Sequence, residues 1–89
     1  MKAILTVIGK DQIGIIAQVC TLLAAEQVNI LDISQTVMRD YFTMIMLVDT
    51  SASKTPFDEL ARRLDQSGKL TGLSIRIQRE DIFNAMHRI

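Results

Sequence analysis

An α+β sandwich, with elements in the order βαββαβ and a short helix at the end, follows from three features of this sequence. Apolar runs and period-two alternation mark four strands, and period 3.6 marks two helices between them. A link as short as Arg39-Asp40 between the second and third strands forces an antiparallel hairpin. Two such split βαβ units build a four-stranded antiparallel sheet with both helices on one face, because right-handed crossovers place them there.

Ala3 to Ile8 is β-rich and almost continuously apolar, as in a strand buried on nearly both faces. Asp11 caps a first helix whose apolar residues Ile16, Val19, Cys20 and Leu23 recur at three- and four-residue spacing, ending near Glu26. From Ile30 the period becomes two: Leu31, Ile33 and Val37 alternate with Asp32, Ser34 and Thr36, and Gln35 is the misfit on the apolar side. Tyr41 to Val48 is the third strand. Thr55 as cap and Pro56 at the first position open a second helix with the stripe Phe57, Leu60, Ala61 and Leu64, which Gly68 closes. Leu73, Ile75 and Ile77 alternate with Ser74, Arg76 and Gln78 in the fourth strand, and Ile82, Phe83, Met86 and Ile89 mark the tail helix.

A chain of 89 residues makes one domain, with a core over about 2–79 and the tail helix over about 80–89. Surface scaling for 10.0 kDa gives roughly 5,200 Å² exposed when folded against roughly 14,500 Å² unfolded, enough burial for a core without staples. One Cys excludes an internal disulfide, and with one His it leaves too few soft ligands for structural zinc, so a reducing cytoplasm is the natural setting. The longest apolar run, Met44 to Val48, is far too short to span a bilayer, and Lys2 to Ile8 lacks the cleavage site of a signal peptide. Residues 1–45 carry three Lys/Arg and four Asp/Glu, and 46–89 carry seven and six, so neither half is a basic arm for nucleic acid.

The helix-free face should carry Asp32, Ser34, Thr36, Arg76 and Gln78, yet the third strand is apolar on both sides. Part of that face or an edge is therefore expected to be covered by the tail helix or by a second subunit.

The turn Gly9-Lys10-Asp11-Gln12-Ile13-Gly14 joins a strand to a helix, where free helix N–H groups form an anion site and Gly admits a ligand to the backbone. A dinucleotide fingerprint would have Gly in place of Asp11, and the antiparallel hairpin breaks the doubly wound pattern, so a plain turn is the competing reading. Cys20 falls on a buried stripe and His87 in the tail, which leaves no activated nucleophile. Asp11 and Asp32 are expected near each other, but two carboxylates without a third ligand make a poor metal site. Met38, Met44, Met46 and Met86 fit core or interface filling better than copper, and the sheet lacks the stacking aromatics of RNA-binding modules.

Gly9-x-Asp11-x-x-Gly14-Ile15-Ile16-Ala17-x-Val19, Leu22-Leu23-Ala24 and Val28-Asn29-Ile30-x-Asp32-Ile33 together resemble an ACT domain over residues 2–79. The runs NILDISQT from Asn29 and FTMIMLVD from Phe42 are similar to those of small stand-alone ACT proteins akin to the glycine-cleavage repressor. The resemblance implies a ferredoxin-like fold, a homodimer or larger assembly, and an amino acid or similar effector held between the helix-one turn of one domain and strand two of a neighbour. Carried over, that site is Asp11, Gln12, Ile13, Gly14, Asn29 and Ile30, with Ile13 where the commoner turn has Pro. An effector carboxylate would meet the N–H groups of Gln12 to Gly14, and its ammonium the side-chain oxygens of Asn29 or Asp11. A regulatory binding domain is expected, with no catalysis, cofactor or metal, acting through its own dimer or a regulated partner protein. The alternative is a dimerisation module that binds no ligand.

Overall fold

The computed structural model describes residues 1–10 and 12–86, without the side chains of 83, 85 and 86. Its elements are β1 (Lys2–Lys10), α1 (Ile15–Ala25), β2 (Asn29–Met38), β3 (Tyr41–Asp49), α2 (Phe57–Thr71), β4 (Leu73–Arg79) and α3 (Glu80–Met86). The strands form one antiparallel sheet in the order β2-β3-β1-β4, the ferredoxin-like βαββαβ arrangement the sequence predicts.

Alternation along β1 sorts the two faces. Ala3, Leu5 and Val7 point to one side and are fully buried, opposite Val48, Met46 and Met44 of β3 and beside Ile77 and Ile75 of β4. Ile15, Val19 and Leu23 of α1 and Leu60 and Leu64 of α2 close over this face and share its apolar core. Gly68 lies where α2 crosses β4: a methyl group there would stand 2.6 Å from the Leu73 carbonyl oxygen. That contact fixes how close the helix can sit to the sheet.

Four local expectations are corrected. The first turn of α1 begins at Ile15 behind Gly14, whose φ of 86° is left-handed, so the cap is Gly14 and not Asp11, which lies outside the described residues. With this start Ile15 faces the core and Ile16 faces solvent. Thr55 does not cap α2; its hydroxyl donates to Glu26 Oε2 at 2.8 Å, and Pro56 takes the cap position. Gly68 does not end α2, which runs on to Thr71 and stops at Gly72 with φ 76°.

Strand β2 is the fourth correction. A bulge at Leu31 shifts its register, so that Ile30, Ile33, Gln35 and Val37 share the helix side. The strand is a sheet edge, and of these only Ile30 is half-buried and packed on the core. Ile33 and Val37 stay 43% and 54% exposed, which explains why Gln35 is tolerated between them. Helix α3 lies against β1 and β4. The apolar stripe expected of Phe83, Met86 and Ile89, and His87, fall outside the described side chains. Among the described residues no helix is long and apolar enough to cross a membrane.

One polar network joins the end of α1 to the start of α2: Arg63 donates to Glu26 at 2.9 Å and pairs with Glu59 at 3.3 Å, while Thr55 donates to the same Glu26 carboxylate. The Thr55 hydroxyl, then Arg63, hold the Glu26 carboxyl below its ordinary value. A carboxylate whose folded pKa is depressed contributes stability above its unfolded pKa and loses it as pH falls through the folded one. Glu26→Gln should therefore lower the urea midpoint at pH 7 relative to wild type, and the gap should close by pH 3; an equal gap at both pH values would contradict this role. For the core, Leu60→Ala should cost about 2–5 kcal/mol in denaturant melts, and a loss under about 1 kcal/mol would show that Leu60 does not anchor α2.

Candidate functional site

Gly14 presents its backbone to open solvent: a side-chain carbon placed on it would meet nothing within 4 Å. Among the described residues, helix α1 has no side-chain cap bond and no acidic residue in its first turn to offset its positive end. Because the helix starts at Ile15, the free N–H groups are those of Gly14 to Ala17, slightly further along than the sequence suggests. Gln12 Nε2 donates to the Thr71 carbonyl at 3.3 Å and ties the turn to the end of α2. The side chain of Ile13 is fully exposed.

The other half of the predicted site lies elsewhere. Asn29 opens β2 opposite Asp49, which in turn pairs with Lys2, whereas the turn follows Lys10, which pairs with Tyr41. The halves are thus at opposite ends of the sheet, about 26 Å apart along a nine-residue strand. Gln12, Ile13 and Gly14 stand together, Asn29 and Ile30 stand together, and the chain does not bring the two sets into contact. For the same reason the start of α1 is remote from Asp32; the closeness expected of Asp11 and Asp32 lies outside the described residues.

At the Asn29 end Asp49 already holds a cation, the N-terminal ammonium of Met1 at 3.4 Å from its Oδ1. Asp49 Oδ1 accepts from the Ser51 hydroxyl at 2.6 Å and the Ser51 amide at 2.9 Å, and these bonds hold its carboxyl below the usual value. Asn29 is exposed beside it, while Ile30 is turned into the core.

A groove of about 450 Å³ between α1 and α2, lined by Ala17, Gln18, Thr21, Leu22, Leu70 and Thr71, was not foreseen from the sequence. The hydroxyls of Thr21 and Thr71 donate to the carbonyls of Ala17 and Ser67, so they are already engaged. The signal that could have revealed it is Leu70, an apolar residue off the buried stripe of α2 and 88% exposed. Among the described residues no cluster of three His, Cys, Asp or Glu side chains could hold a metal ion.

The sheet order, the glycine turn and the bulged edge strand together define a domain type, and residues 2–78 match the ACT domain family. The chain belongs to that family. It is 60% identical over 89 residues, the full length of both chains, to a UPF0237 protein of Clostridium acetobutylicum. An ACT domain protein from Streptococcus pneumoniae superposes with a TM-score of 0.83 and 45% identity, covering 98% of each chain. A chain assigned as a glycine cleavage system transcriptional repressor shares the fold at a TM-score of 0.72 and 24% identity, with 86% of this chain and 44% of that one covered. ACT domains are in general regulatory domains that bind small molecules, amino acids above all, and commonly dimerise.

The left-handed Gly14 gives a direct test of the turn. With nothing nearby to clash, Gly14→Ala should cost only the backbone term, about 1–2 kcal/mol in thermal or urea melts. An unchanged midpoint would mean that the turn does not hold Gly14 at positive φ.

Proposed function

We propose that this protein is a regulatory amino-acid sensor whose binding site is shared between two copies of the chain. The observation that supports it is the separation of the two half-sites: a helix N-terminus with no side-chain cap among the described residues at one end of the sheet, and at the other the Asn29 amide beside Asp49, a carboxylate that already takes the Met1 ammonium. An α-amino acid carries a carboxylate and an ammonium a few ångströms apart, so it needs both halves at once. Antiparallel pairing of the free β2 edge with the same edge of a second copy carries Asn29 of that copy to the end where the turn of the first copy lies. The two-fold axis then makes two equal sites.

In this reading the carboxylate is held by the N–H groups from Gly14 onward, and the ammonium by the Asn29 side-chain oxygen beside ionised Asp49 of the second copy. Asp11 belongs to the same turn by sequence and would act as a second acceptor. Ligand and dimer stabilise each other by linkage, which gives the domain an output without any catalytic step. A reducing cytoplasm suits a chain with one unpaired Cys.

Ligand-free dimerisation has its own support, since the Gln12 side chain is already bonded to Thr71 and Ile30 is packed in the core. Titration calorimetry of the pure protein against the twenty amino acids separates the readings. At least one should bind, and Gly14→Val should abolish that binding while circular dichroism still reports a folded domain. No heat with any amino acid, from a protein that sediments as a dimer, would favour the assembly reading.

A further inference from the structure

The helix-free face of the sheet carries an ordered pattern that the effector reading leaves unused. Three rows cross it from β2 to β4: Asp32, Leu47, Ile4, Gln78; then Ser34, Ile45, Thr6, Arg76; then Thr36, Thr43, Ile8, Ser74. Within these rows acid sits on the β2 edge and base on the β4 edge, with a mainly apolar strip broken by Thr6 and Thr43 between them; beyond the rows the same face carries Asp49 beside Lys2 at one end and Lys10 at the other. Ile45 and Ile8 are 44% and 46% exposed, and a hollow of about 150 Å³ opens among Ile4, Asp32, Ser34, Ile45 and Leu47. Among the described residues Asp32 accepts only from the neighbouring Ile33 amide, and neither Asp32 nor Arg76 has an ion-pair partner.

The geometry points to a second copy of this chain as the occupant of that face, packed sheet against sheet. A two-fold axis parallel to the strands, midway between β3 and β1, lays the β2 edge of one copy over the β4 edge of the other. Each row then meets its own reverse: Asp32 faces Gln78, Ser34 faces Arg76, Leu47 faces Ile4 and Ile45 faces Thr6, each from the opposite copy. Asp32 lies one row from Arg76 of the second copy, about 7 Å along the strand and within an arginine's span. An axis across the strands would instead set Arg76 near Arg76 of the other copy, a like-charge contact, so the charge pattern selects the first arrangement.

Four strands about 4.8 Å apart and three rows about 7 Å apart give a contact of about 400 Å² per copy, or about 800 Å² in all, the size of a weak and transient association. Association through this face is accordingly concentration-dependent. Its axis runs between the two sheets and parallel to them, whereas the axis of β2 edge pairing stands normal to the sheet at that edge. The two contacts use different surfaces and the axes do not cross, so together they carry assembly beyond two copies.

Sedimentation equilibrium over a range of concentrations tests this without any effector. Ile45→Lys should remove one association step, halving the weight-average mass where wild type is associated, with its fold retained by circular dichroism. Asp32→Arg and Arg76→Asp should each weaken association about tenfold, and the double variant should recover it. Wild-type mass for Ile45→Lys at every concentration would overturn the proposal, as would a double variant no better than either single one. A lowered melting temperature for Ile45→Lys with unchanged mass would also overturn it, and would assign cover of the strip to α3 of the same chain. Failure of every amino acid to bind would leave this result standing, so the two readings fail separately.

Discussion

The register of β1 with its two neighbours is the constraint on which the rest depends. Because Leu5 and Val7 pair with Met46 and Met44 on one side and with Ile77 and Ile75 on the other, one face of three strands becomes continuously apolar. Right-handed crossovers then deliver α1 and α2 to that face and to no other. The cost falls on what remains: the face away from α1 and α2, and the two edges, β2 and β4.

The same register sets the functional geometry. Each strand runs the length of the sheet, so a turn after β1 and the start of β2 must lie at opposite ends, and α1, 11 residues long, carries the chain back between them over about 17 Å. A site that uses both ends is beyond the reach of one chain. Two-fold pairing through an edge resolves this, because antiparallel strands reverse one end onto the other. The constraint that divides the site within one copy is therefore what would make occupancy and assembly interdependent.

The elements that read correctly from sequence are those whose periodicity is set by the core. Leu60 and Leu64 had one possible phase, and β1, β3 and β4 announced themselves by composition. What misled was local punctuation. Asp11 and Thr55 both have the side chain of a cap, but the backbone at Gly14 turns left-handed and starts α1 later, and the hydroxyl of Thr55 finds an acceptor in Glu26, 29 residues away. Gly68 and Gly72 look alike as stop signals. Only tertiary contact shows that the first makes room for Leu73 and Ile75 while the second ends the helix. The bulge at Leu31 left no mark in the sequence and put Ile30, not Leu31, on the side that Ile33 and Val37 share. Of the candidate site, the residues were legible and their distribution over two ends was not, since that is a property of topology.

The central claim, that the turn of one copy meets strand β2 of another, is tested most directly by a spin-label distance between copies. One batch of Gln12→Cys and one of Asn29→Cys, both in a Cys20→Ser background, would be labelled separately and mixed, so that any measured coupling between the two positions is between chains. The account predicts a mixed-population distance clearly shorter than the about 26 Å that separates these positions within one chain. An absence of dipolar coupling in the mixture, or a distance no shorter than the one within a doubly labelled chain diluted in unlabelled protein, would contradict it.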